Sequence, residues 1–106
     1  MSRDVIQEIR QEIADNKIAL YMKGTAEAPQ CGFSAVVAQI LAQTGKPFHD
    51  INVLEDHEKW AAIKEYSNWP TIPQIYVAGE FIGGCDIVRE LHASGELQAK
   101  IDAAFG

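Results

Sequence analysis

The residues with the most chemistry to offer are Cys31-Gly32-Phe33-Ser34, which follow an apolar run, KIALYMK, and a loop, GTAEAPQ, and open a helix-like run, SAVVAQILAQT. A thiol at a helix N-terminus faces unpaired backbone N–H groups and the positive end of the helix dipole, which favour thiolate over thiol and lower its pKa from about 8.5. Lys23, at the end of the first apolar run, adds a cation nearby. The resulting thiolate suits nucleophilic attack on a disulfide or ligation of a soft metal. The bland alternative, a buried cysteine packing as a small hydrophobe, sits poorly between Gln30 and Gly32. Thiol–disulfide chemistry commonly places a second cysteine three residues on, and here that position is Ser34. Gly32 leaves backbone N–H groups open to a ligand sulfur. Phe33 can shield one side of the site or simply pack.

The elements around this junction follow from periodicity and punctuation. Ile6, Ile9 and Ile13 recur at helical spacing, and Asp4 with Gln7 resembles a capping box, so a first helix is expected from about residue 5 to 15, ending at Asn16. KIALYMK reads as a buried strand, SAVVAQILAQT as a helix stopped by Gly45 and Pro47, and PFHDINV as a second strand. Asp56 and Glu58 precede Trp60, Ile63 and Lys64, giving a third helix with acidic residues at its start, which ends before Pro70. PQIYV and EFIGG flank Ala78-Gly79 as a β-hairpin. Asp86 is expected to cap IVRELHAS, Gly95 to end it, and ELQAKIDAAF to form a last helix. The order α, β, α, β, α, β, β, α, α describes a small four-stranded mixed sheet flanked by helices, the thioredoxin-like arrangement.

Composition sets limits. At 106 residues and 47% hydrophobic content, the chain is expected to be a single domain, 1–106, able to bury a core without metal or disulfide staples. No apolar run approaches the roughly 20 residues needed to cross a bilayer. The charged, amphipathic MSRDVIQEIRQEIADNK reads as a first helix rather than a secretory signal. A soluble, cytoplasmic protein, or one of an equivalent reducing compartment, is the expectation. A net charge of −6 gives no electrostatic reason to expect nucleic acid or an anionic membrane as partner. In such a compartment Cys31 and Cys85 are catalytic or metal-binding rather than a structural bridge. His49, His57 and His92 show no ligand spacing, and surface or packing roles are their default.

CGFS, KEYSNWPTIPQ and GGCDIV at these spacings resemble the monothiol glutaredoxins of the CGFS type, over essentially the whole chain. That resemblance implies a single glutaredoxin domain of thioredoxin-like fold whose cysteine binds glutathione, with a principal role in assembling, carrying and transferring [2Fe–2S] clusters. It also implies a cis Pro73 that leaves the backbone of Ile72, after Thr71, free to pair with glutathione as a short strand. A trans proline opening a strand is the alternative. Backbone N–H groups around Gly84, Cys85 and Asp86 suit the γ-glutamyl α-carboxylate, and the Asp86 side chain suits its ammonium, whether or not it also caps the helix. Family members commonly carry an arginine where this chain has Trp60, so the cation for the glycyl carboxylate is expected from Lys64, with Lys59 second; either lysine could equally be a solvated charge. For Cys85 three roles stay open: a disulfide with Cys31, a resolving thiol, or a small residue beside the ligand.

A [2Fe–2S] cluster needs four thiolates. Cys31 from each of two chains and one thiol from each of two glutathiones make four, so a homodimer when loaded and a monomer when empty are expected. Ser34 removes the intramolecular disulfide that would compete for the ligand thiolate. The alternative function is a glutathione-dependent oxidoreductase that deglutathionylates protein mixed disulfides by a monothiol route. The resemblance weighs against it, because a long loop such as GTAEAPQ accompanies weak oxidoreductase activity in that family. It also implies iron–sulfur client apoproteins and a possible BolA-type protein as partners.

Overall fold

The computed structural model describes residues 3–106. Its elements are α1 (Val5–Asp15), β1 (Ile18–Met22), α2 (Gly32–Gln43), β2 (His49–Asn52), a 3-10 turn (Val53–Glu55), α3 (His57–Ser67), β3 (Gln74–Val77), β4 (Glu80–Gly83), α4 (Cys85–Ser94) and α5 (Glu96–Phe105). The sheet runs β2-β1-β3-β4, with β1 parallel to β2 and antiparallel to β3, and β3 antiparallel to β4. This is the expected mixed sheet, and it puts β1 at the centre, where all five of its residues are buried.

The period-two alternation of β1 builds two cores. Ile18, Leu20 and Met22 face one layer with Val37 and Leu41 of α2, Val88 of α4, and Leu97 and Ile101 of α5. Ala19 and Tyr21 face the other, with Ile9 and Ile13 of α1 and Ile63 of α3. The amphipathic α1 lies against α3, and an ion cluster joins their N-terminal ends: Arg3 donates to Glu8 and to Asp56, and Asp56 also caps α3 by accepting from the Lys59 amide at 3.1 Å. The hairpin turn at Ala78-Gly79 has positive φ at both residues, 51° and 82°, the twist that a two-residue connection between antiparallel strands requires.

Two sequence expectations are corrected. The helix after CGF does not wait for Ser34 but begins at Gly32, with Cys31 itself as its N-cap in extended conformation. Likewise Asp86 does not cap α4: that helix begins at Cys85 with Gly84 as N-cap, and no side chain caps it. Residue preference favours Asp86 as the boundary, whereas the extended backbone of Gly84 turns the chain two residues earlier and carries Asp86 into the first turn.

Candidate functional site

The site forms where the C-terminal end of β1, the N-termini of α2 and α4, and the segment before β3 converge. The loop from β1 to α2 is short-circuited by its own hydrogen bonds. Gln30 N–H donates to the Lys23 carbonyl at 2.9 Å, and Gly24 bridges to Pro29. Side chains of β2 hold it from beside: Asn52 Oδ1 accepts from Gly24 N–H at 2.9 Å, and Asp50 Oδ2 accepts from Ala26 N–H at 2.8 Å. Gly24 has φ of +89°, and a Cβ there would lie 2.6 Å from the Ala28 carbonyl oxygen, so only glycine fits. The loop therefore delivers Cys31 to a fixed place rather than hanging free.

At that place the Ser34 backbone N–H, the largest influence, holds the Cys31 thiol below its ordinary pKa; burial opposes it, and the Phe33 N–H and the charge of Lys23 add lesser contributions in the same direction. The Ser34 hydroxyl adds to this. Fully buried, it accepts from the Lys23 amide at 3.1 Å, and it is the least of the influences that lower the Cys31 thiol. Ser34 is thus more than a missing cysteine; it joins β1 to the helix start and supports the thiolate. Cys85, across the groove, goes the other way, because burial pushes its thiol up, with Asp86 and Cys31 adding and Arg89 opposing. Both cysteines are free thiols.

A groove of about 690 Å³ opens beside Cys31, within the usual size range of small-molecule sites. Lys23, Cys31, Phe33, Lys64, Thr71, Ile72, Pro73, Gly84, Cys85 and Asp86 all line it, so the structure gathers nearly every residue singled out by sequence. Gly32 is the exception: it is exposed, and a Cβ placed on it would meet nothing within 4 Å. Phe33, 61% exposed, packs on little and flanks the groove. The Ile72–Pro73 peptide is cis, and the β1–β3 ladder starts only at Gln74, so the Ile72 backbone precedes the paired region. Lys59 is corrected. It is buried against α1, with Nζ bonded to the Glu12 carboxylate, which also accepts from Tyr21 Oη at 2.8 Å. It cannot serve the groove, whereas Lys64 lies on it.

Sequence reasoning missed several residues that line the groove or support it from behind. Buried Gln74 donates from Nε2 to the carbonyls of Trp69 and Thr71, both at 3.1 Å, and so fixes the segment ahead of the cis peptide. A polar residue inside an apolar strand run was the available signal. Trp69, Pro70, Ile87 and Trp60 also line the groove. Among the described residues no group of three His, Cys, Asp or Glu side chains is placed to hold a metal ion.

A four-stranded mixed sheet with a helix-capping cysteine opposite a cis proline defines a thioredoxin-like protein. The family model described as Glutaredoxin matches residues 18–82. A ycf64-like monothiol glutaredoxin of Synechocystis is 52% identical over 105 residues, covering 99% of this chain and 98% of the relative. Glutaredoxin 4 of Escherichia coli K12 is 48% identical over 96 residues, covering 91% and 84%. The solution structure of reduced poplar apo GrxS14 superposes with a TM-score of 0.83 at 46% identity, covering 93% and 91%. The chain belongs to the glutaredoxin family, among its monothiol members of the CGFS type. No helix among the described residues is long and apolar enough to cross a membrane.

Proposed function

We propose that the groove binds glutathione and that Cys31, with that glutathione, takes a [2Fe–2S] cluster as cargo at the interface of a homodimer and passes it to client apoproteins in a reducing compartment such as the cytoplasm. The observation that carries this reading is the pairing of a thiolate-favouring Cys31 with a buried Ser34 at the position where a second thiol would stand. A thiolate with no internal disulfide partner three residues away stays available to iron. One chain offers one such thiolate of the four a cluster needs, a second chain offers another, and two glutathiones are the exchangeable source of the remaining two. Several parts of the groove support glutathione: the unladdered Ile72 backbone for the cysteinyl unit, the N-terminus of α4 for the γ-glutamyl carboxylate, exposed Asp86 for the ammonium, and Lys23 with Lys64 for the glycyl carboxylate. Docking of a BolA-type partner belongs to the same proposal. Anaerobic reconstitution with iron, sulfide and glutathione tests it: a visible charge-transfer spectrum is expected, and a colourless product overturns it.

The lowered Cys31 thiol also favours a second reading, deglutathionylation. The Cys31 thiolate would attack the glutathione sulfur of a mixed disulfide, breaking that S–S bond and releasing the protein thiolate. A second glutathione thiolate would then displace Cys31 and leave oxidised glutathione. Rapid steady-state turnover of a glutathione mixed disulfide by the apo protein, with no cluster on reconstitution, would establish this function instead.

A further inference from the structure

Trp60 stands in the groove with two cations on its ring. Lys23 Nζ lies 5.3 Å and Lys64 Nζ 5.7 Å from the indole centroid, within the range of a cation–π contact. The two lysines come from separate elements, the end of β1 and the last turn of α3, yet both line the groove with Cys31. Trp60 itself is half-buried and packs against the core layer that contains Ile63 and Tyr76, so its ring is a fixed surface. Neither lysine forms a salt bridge among the described residues, while neighbouring Lys59 is committed to Glu12. Both ammonium groups, held by one ring and without a carboxylate partner among the described residues, line the groove in a chain whose net charge is −6. An anion entering the groove meets both charges.

We propose that Trp60 is a positioning residue that sets the specificity of the groove's anionic end: its ring holds the Lys23 and Lys64 ammonium groups as a two-cation seat for the glycyl carboxylate of glutathione. This rests on the groove being a glutathione site. Tryptophan brings neither charge nor a donor fork to the carboxylate. It orders two long side chains that would otherwise lose several rotors' freedom on binding, and so lowers the entropic cost of the contact. Ammonium groups read charge rather than planar shape, so the seat should discriminate by the charge of the glycyl end.

Calorimetry with reduced glutathione and with its glycyl monoethyl ester, which lacks that charge, tests the inference on wild type, Trp60→Leu, Trp60→Phe and the Lys23→Ala/Lys64→Ala double variant. Wild type is expected to bind the ester about fivefold more weakly than glutathione, a modest factor because the pair is solvent-accessible. The discrimination should fall below about twofold in Trp60→Leu and in the double variant, and return in Trp60→Phe, which restores a π face. Circular dichroism and the urea midpoint verify that each variant is folded, and the Phe variant carries the test if Leu fails to fold. Full discrimination in folded Trp60→Leu, none recovered in Trp60→Phe, or equal binding of both ligands by wild type overturns the role of Trp60 while leaving the glutathione site. Wild type binding neither ligand overturns the glutathione reading, and this inference with it.

Discussion

In Ser34→Ala the Lys23 amide loses the acceptor that now lies 3.1 Å away, inside a site where Ser34 has no exposed surface. A buried donor left without a partner costs about 1–3 kcal/mol; the Lys23–Ser34 bond is part-buried, so the lower part of that range is expected. For a domain of this length, a loss near 1–2 kcal/mol lowers the thermal midpoint by roughly 5–10 °C. The same substitution removes the hydroxyl beside Cys31 but keeps the Ser34 position's backbone N–H, the largest cause of the lowered thiol pKa. The alkylation rate of Cys31 against pH should therefore inflect at higher pH than in wild type yet still below the value of about 8.5 for a free thiol. Urea unfolding and iodoacetamide alkylation measure the two effects on one sample. An unchanged unfolding midpoint refutes the joining role of the hydroxyl. An inflection at or above the free-thiol value shows instead that the side chain, not the helix-start backbone, holds the thiolate.

The two lysines of α3 should separate cleanly. Lys59→Ala leaves the Glu12 carboxylate without its partly buried partner and should cost about 1–3 kcal/mol in urea unfolding while preserving glutathione affinity; Lys64→Ala should do the reverse in calorimetry, and equal affinities for both variants contradict the assignment. The Asp56 carboxyl is held down at about 2, first by its bond from Arg3, from an ordinary value of 3.8. A depressed carboxyl stabilises the fold fully above its unfolded pKa, and that contribution is lost as pH falls from about 3.8 through about 2. Asp56→Asn should flatten the acid-side decline of the unfolding midpoint in that window, and a decline identical to wild type would place the acid sensitivity elsewhere.

The sheet was legible because β1 is an uninterrupted apolar run between lysines and because Ala78-Gly79 punctuates the hairpin; both signals are local. CGFS, TIP and GGC marked the groove: the first as a thiol at a helix start, the other two through the family resemblance, which implies a cis turn and a ligand-binding helix start. What stayed hidden depended on partners distant in sequence. Helical spacing from Trp60 favours Lys64 over Lys59, but only the packing of α1, with Glu12 alongside, commits Lys59 inward. Ser34 read as an absence, because its bond to the Lys23 amide exists only once β1 meets α2. Gln74 read as an ordinary strand residue, though it fixes the loop before it. Residue preference favours Asp86 at the cap, and the extended backbone of Gly84 overrides it.

The source of the four sulfurs is the point on which the cluster-carrier account stands. Wild type, Cys31→Ser and Cys85→Ser should be reconstituted anaerobically with and without glutathione, and each product read by visible absorbance and analytical ultracentrifugation. A cluster that requires glutathione, sediments as a dimer, disappears in Cys31→Ser and persists in Cys85→Ser is the predicted result. A cluster that forms on a monomer without glutathione and is lost in Cys85→Ser would contradict the shared site and make Cys85 an iron ligand.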